Sequence, residues 1–347
     1  MCEVSVIVPV YNMAKDGILE YCMQSLVRQT LKDLEIIAVD DASTDDSLTV
    51  LRGFEERYPG RVKVIASEKN QRQGGAKNLG LDIAKGRFVT FVDADDWITE
   101  DLYERMLEVA NKTGADVVGT DMCRVSEQTM TPTKTEECNL DSQVGPMDHE
   151  RRKEYLLHPG PLVAKLIARE IFCEPKLRFP TEMSYEDNAL FVEIAMRMKH
   201  FERVPGPNYF YYQHGASTTH AIDLKKIEDR MEAMRIMMRY AKENGALEEF
   251  HDVMEFHFAN MFYRNTLFTY MQGDIKKDVK YVERMGKEML ETFPEFRKNA
   301  YYLQEVNEYE RKLIDLQLVS TRKFFVIYRL KRISKFVKDK LRGNGAR

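Results

Sequence analysis

The chain has 347 residues, 31% charged and 44% hydrophobic, the balance of an ordinary globular protein with room for a sizeable core. No stretch reaches the roughly 18 apolar residues of a membrane-crossing helix, and the apolar start at residues 4–10 has no basic segment before it and no cleavage site after it, so it is not read as a signal peptide. The net charge of −4 conceals an asymmetry: residues 322–347 hold ten Lys or Arg against one acid, Asp339, so the rest of the chain is clearly acidic. Five scattered cysteines without a Cys-x-x-Cys pair read as reduced thiols, so a cytoplasmic location is expected.

The first part of the chain alternates strand and helix. Residues 4–10 form an apolar, β-branched strand, and residues 18–28 carry helical apolar spacing at Leu19, Cys22, Met23, Leu26 and Val27. A strand over 34–39 ends in Asp40-Asp41. A helix over 44–57 follows, with Ser43 and Asp46 at capping-box spacing. Next come a strand at 62–66, a helix at 75–85 stopped by Gly86, and a strand at 87–92. A helix at 101–112 and a strand at 116–120 complete the series. Such alternation predicts an α/β fold with a mostly parallel, doubly wound sheet. Residues 126–147 are polar and aperiodic and read as a loop. Beyond them, 186–198 is helical, 209–213 is an aromatic strand, and from about 222 nearly everything is helical, with breaks near Gly245, Gly273 and Pro294. The expected domains are 1–221, divisible into 1–120 and 121–221, and a helical region 222–347.

Chemistry concentrates at the predicted strand ends. The first strand ends in Pro9-Val10-Tyr11-Asn12, the second in Asp40-Asp41, and the fourth in Asp93-Ala94-Asp95-Asp96. Open α/β sheets bind ligands at the carboxyl edge of their strands. An Asp-x-Asp there suits a hard divalent cation, Mn²⁺ or Mg²⁺, which keeps coordination sites open for phosphate oxygens. Any one of these clusters alone reads equally as a solvated acidic turn. Three carboxylate-bearing or polar turns on one edge are electrostatically costly without a cation or donors among them. Gly74-Gly75 before a helix fits neither the dinucleotide nor the P-loop spacing, which speaks against a nicotinamide or kinase site.

The order and spacing of residues 4–12, Asp40 to Asp45, Gly74 to Gly80 and Asp93-Ala94-Asp95 resemble the family 2 inverting glycosyltransferases, which have the GT-A fold and use nucleotide-sugar donors. The resemblance continues through Lys165-Leu166, Arg178-Phe179-Pro180, Glu186-Asp187, Tyr211 to His214 and Ser217, and covers residues 3–221. It implies a UDP-sugar donor whose base packs against Pro9 and Tyr11 and pairs with Asp41. Asp93 would contact the ribose, Asp95 the metal, and Lys77 the donor. Asp187 matches the catalytic base, while Glu186, Lys165 and Trp97 are implied on the acceptor or diphosphate side. His214 would ligate the metal or donate to the diphosphate, or is a strand histidine satisfied locally. Two acids opening a helix at Asn188 would also suit the helix dipole, apart from any catalytic role. The implied reaction moves a hexose or N-acetylhexosamine, with inversion, to a hydroxyl of a growing glycan or lipid-linked oligosaccharide in surface polysaccharide synthesis.

The basic tail over 322–342 keeps Phe325, Ile333, Phe336 and Val337 at helical spacing. It reads either as an interfacial helix on an anionic leaflet, placing the protein on the inner face of the membrane, or as a packed terminal helix. No nucleic-acid module accompanies the charge. Two other functions compete: a sugar nucleotidyltransferase, whose Gly-rich basic motif is missing at Tyr11-Asn12-Met13, and a non-catalytic nucleotide- or glycan-binding module.

Overall fold

A computed structural model describes residues 2–129, 131, 134–173, 175–213 and 223–330. Two compact units emerge: residues 1–221 with 235–246, and residues 222–234 with 247–347.

The first unit is built on one ten-stranded sheet. Its parallel half comprises β1 (Val4–Val10), β2 (Leu34–Asp40), β3 (Val62–Ala66) and β4 (Phe88–Phe91), in the spatial order β3-β2-β1-β4. The helices are α1 (Ile18–Val27), α2 (Ser47–Arg57) and α3 (Arg72–Ile83). Every residue of β1 is buried, as expected for a strand covered on both faces. The strand order reverses beside β1, and a crevice at the carboxyl ends of β1 and β4 is the ligand position such sheets provide. Pro9 is tolerated at this edge. Ile7 carbonyl oxygen accepts from the Val92 N–H on the β4 side, and alternation turns Pro9 to that same side, where β4 has already ended. The N–H that proline lacks therefore has no ladder partner to lose.

The remaining strands are β5 (Trp97–Ile98), β6 (Val117–Val125), β7 (Thr135–Glu136), β8 (Gly145–Pro146), β9 (Lys165–Ala168) and β10 (His200–Tyr212). Antiparallel β9 joins β4 to β6, and β6 pairs parallel with β10. The helices here are α4 (Leu102–Thr113), α5 (His149–Leu157) and α6 (Phe191–Arg197). In the second unit lie α8 to α13 and the first half of α7 (Leu224–Glu243). These later helices are α8 (Ala246–Glu249), α9 (His251–His257), α10 (Thr266–Gln272), α11 (Val279–Thr292), α12 (Ala300–Glu305) and α13 (Glu308–Val319), with helix again at 321–330. Helices α7, α10 and α11 stop beside Gly245, Gly273 and Pro294, where breaks were expected.

Several boundaries differ from expectation for local reasons. Helix α2 has no capping box: the Ser43 hydroxyl accepts from the Asn12 N–H instead, and Asp45 takes the Ser47 N–H at 3.0 Å. Helix α3 begins at Arg72, three residues early, and ends before Gly86. The 126–147 segment contributes the short strands β7 and β8 and a 3₁₀ turn at Asp141–Gln143. The expected 186–198 helix starts only at Phe191, which leaves Glu186 and Asp187 in a turn well before it. The helix dipole therefore does not explain that acidic pair, because the effect is confined to the first turn.

Candidate active site

Turns leaving β1, β2 and β4 carry the groups expected on the donor side. Tyr11 is 45% exposed beyond β1. Asn12 next to it adopts φ 53° and its side-chain oxygen accepts from the Thr44 N–H at 2.7 Å, tying the first turn to the second. Asp41 is buried. One of its oxygens accepts from the Gln71 N–H at 2.8 Å, and the other has no partner among the described residues. Burial raises its pKa, Asp40 adds to the rise, and the N–H groups of Gln71 and Arg72 oppose it. A buried carboxylate oxygen without a partner is costly, and here it lies at the ligand edge of the sheet.

Beyond β4 the three aspartates divide their work. Asp96 is fully buried and accepts from the Tyr209 hydroxyl at 2.7 Å and the Tyr212 N–H at 2.9 Å. It anchors the turn to β10, and its pKa is well raised by burial and by Asp95 and Asp93. Asp93 is half-buried, and its pKa is pushed up to about 7 by burial, with Asp95, Glu186 and Asp187 adding to the rise and Lys77 opposing it. Asp95 is also half-buried. Among the described residues no three His, Cys, Asp or Glu are grouped to hold a metal. One or two carboxylates with substrate phosphates are the usual protein share for Mg²⁺. The like charges of Asp95, Glu186 and Asp187 that add to the burial-driven rise at Asp93 are what a cation beside Asp95 would relieve, and a carboxylate pair of this kind fits a divalent ion.

Segment 177–187 carries the other acids and is strapped along α3. Asn78 clamps Phe179 in both directions, donating to its carbonyl at 2.8 Å and accepting from its N–H at 2.9 Å. Arg178 pairs with Asp82 at 2.6 Å. The Glu182 N–H donates to the Gln71 carbonyl at 2.9 Å, and Arg72 reaches the Ser184 hydroxyl at 3.1 Å. Gly74 permits the close approach, since a Cβ there would stand 2.1 Å from the Pro180 carbonyl oxygen. At the end of the strap, Lys77 Nζ and Glu186 Oε1 form a buried ion pair at 2.6 Å. Breaking such a pair by removing one partner typically costs about 3–5 kcal/mol. Asp187 follows, half-buried, with its pKa raised by burial and Glu186 and held down by Lys77 and the Asn188 N–H.

Two residues expected at the ligand are buried here. Lys77 is only 2% exposed, and its ammonium lies against Glu186. Trp97 is 1% exposed. Its indole N–H donates to the Thr129 carbonyl at 2.9 Å and its ring packs among Tyr21, Phe210 and Tyr212, which makes it core rather than an acceptor platform. Lys165 is buried at the start of β9, donates to the Pro161 carbonyl at 3.0 Å, and has its pKa lowered to about 7 by burial, with Cys138 and Asp187 opposing. His214 and Ser217 lie outside the described residues. Sequence reasoning missed Tyr209 as the partner of Asp96 and Gln71 as the link between Asp41 and the strap. The Gln71 contacts run through its backbone and leave no mark in residue type.

Residues 5–172 match the family model described as Glycosyl transferase family 2. That segment belongs to the family. Among relatives of this transferase, EpsH of Bacillus subtilis (strain 168), provisionally named as a glycosyltransferase, is 29% identical over 265 residues, 73% of each chain. The poly(ribitol-phosphate) beta-glucosyltransferase of Bacillus spizizenii is 28% identical over 212 residues, 60% of this chain and 32% of that protein. The crystal structure of S. aureus TarS 1–349 in complex with UDP-GlcNAc aligns over 96% of this chain and 92% of its own, with a TM-score of 0.67 at 20% identity, a likeness of fold. Membership of the family removes the nucleotidyltransferase alternative.

Proposed function

We propose that this glycosyltransferase moves a hexosyl or N-acetylhexosaminyl group from a UDP-sugar to a hydroxyl of a surface glycan or lipid-linked oligosaccharide, with inversion at the anomeric carbon. The observation that carries the reading is the meeting, at one sheet edge, of a half-satisfied buried Asp41, the acidic turn at Asp93 and Asp95, and the strapped Asp187. The unpartnered oxygen of Asp41 suits the N–H of a uracil ring, beside Pro9 and exposed Tyr11. Asp93 suits ribose hydroxyls. Asp187 takes the proton from the acceptor hydroxyl as its oxygen bonds to the anomeric carbon. The bond from that carbon to the diphosphate oxygen breaks, and its electron pair leaves with UDP. Attack opposite the leaving group inverts the centre through an oxocarbenium-like state. A divalent cation held by Asp95 would offset charge on the departing diphosphate. Glu186 and Lys165 flank Asp187 on the acceptor side. The name of the poly(ribitol-phosphate) glucosyltransferase supports a polymeric surface acceptor.

A membrane-surface role has one observation in its favour. Phe324 is fully buried and the Tyr328 ring lies 6.3 Å from Phe268, so the tail begins as a packed helix rather than a free one. Later on that helix Val326 is 59% and Leu330 61% exposed, alongside the basic Arg322, Lys323 and Arg329. Residues 331–342 of the expected basic helix lie outside the described residues. Among the described residues no helix is long and apolar enough to cross a membrane.

Four outcomes follow from this reading. Asp41→Ala should weaken UDP binding by about tenfold or more, the loss of a hydrogen bond to a charged group; unchanged affinity by calorimetry removes Asp41 from the site. Chelation by EDTA or Asp95→Ala should abolish UDP release from a donor panel, and full activity of the chelated protein contradicts the metal role. Asp187→Asn should fold and bind UDP while transfer falls about 10²–10⁴-fold, the usual contribution of a positioned base; a rate above about a tenth of the original places the base elsewhere. A chain ending at Leu330 keeps Phe324 and should lose sedimentation with phosphatidylserine vesicles at low salt, each basic residue being worth on the order of 1 kcal/mol there. Equal sedimentation of the two chains, or none by either, ends the membrane reading.

A further inference from the structure

Lys77 looks at first like a diphosphate ligand, yet its surroundings leave it another task. Its ammonium is 2.6 Å from Glu186 and sealed from solvent, with the rings of Phe179 and Phe91 at 5.5 and 5.9 Å. Burial pulls its pKa down, but Glu186, Asp93 and Asp187 hold it above the ordinary lysine value. The residue that follows, Asn78, fixes Phe179 by two backbone bonds, and Gly74 one turn earlier admits Pro180. Helix α3 thus holds segment 177–187 at three successive levels, and the Lys77 level is adjacent to Asp187.

We propose that Lys77 is the positioning residue of Asp187: by pairing with buried Glu186 it locks the turn that carries the base onto α3, and it does not contact the donor. This rests on Asp187 acting as the base. The physical reason is the stiffness of a buried pair. A carboxylate this far from water has no alternative partner of comparable strength, so the Glu186 side chain has one well-defined place. A base one residue along inherits that placement. Misplacing a catalytic group by about 1 Å can cost roughly 10²-fold in rate.

The test compares Lys77→Met, Lys77→Arg and the double variant Lys77→Met/Glu186→Leu with the parent and with Asp187→Asn. UDP affinity is read by calorimetry and transfer by UDP release with acceptor. Lys77→Met should keep the UDP Kd within about twofold while kcat falls about tenfold or more, within the range a positioned base supplies. Lys77→Arg, which keeps the charge, should recover part of kcat. The double variant replaces the ion pair with apolar side chains, a change that buried pairs often tolerate. It carries the same readout if the single variant fails to fold, and its kcat should likewise fall with UDP affinity intact. A loss of UDP affinity that matches the loss of kcat makes Lys77 a donor contact and overturns the proposal, as does full kcat in Lys77→Met or in the double variant. An active Asp187→Asn overturns the base assignment itself. An inactive Asp187→Asn beside an unimpaired Lys77→Met overturns only the positioning role.

Discussion

Carboxylates crowded at one edge of a sheet repel each other, and the site of this transferase depends on how that repulsion is contained. Asp93, Glu186 and Asp187 all act on Lys77, whose buried ion pair with Glu186 is the main local compensation. Asp96 is withdrawn from the group by Tyr209 and the Tyr212 N–H. Asp41 has only half of its capacity met by Gln71. What remains is a set of acids whose charge is offset on the protein side and unmet on the ligand side. Such a balance suits a site that gains its remaining positive charge and donors with the substrate.

The fold delivers this arrangement economically. Parallel strands β1, β2 and β4 bring their carboxyl ends to one line, and the early end of β4 beside Pro9 opens the crevice. Helix α3 then serves both halves of the site. Its N-terminal Gln71 meets Asp41 through its N–H and Glu182 through its carbonyl, and its middle holds the turn before Asp187. In the proposed reaction, nucleotide recognition and proton acceptance would share one rigid element, the kind of support that holds catalytic groups in productive geometry.

Much of this was legible in the sequence. The strands at 4–10 and 62–66 are bounded as the apolar runs indicate, because fully buried β-branched runs leave little choice. The acidic turns at their neighbours' ends were equally plain. Strand β10 was not: it begins at His200, nine residues before the aromatic run, and its register slips between Val204 and Pro207 and again between Pro207 and Tyr209. Those slips erase the alternation on which a strand is recognised. The pairing of Lys77 with Glu186 was not legible, because the partner lies 109 residues away and a lysine after a Gly-Gly pair looks the same whether it meets a phosphate or a carboxylate. Trp97 was misread for a similar reason. Its position after the aspartates points to a ligand, while its contacts with Tyr21 and Phe210 make it core.

The most direct test of the account is a crystal structure of the protein grown with UDP and Mn²⁺. The account predicts the uracil edge on the free oxygen of Asp41, the metal on Asp95 beside the diphosphate, and the Lys77–Glu186 pair intact with Asp187 facing the open side of the crevice. A nucleotide bound away from the β1–β4 edge, or a diphosphate seated on Lys77, would contradict it.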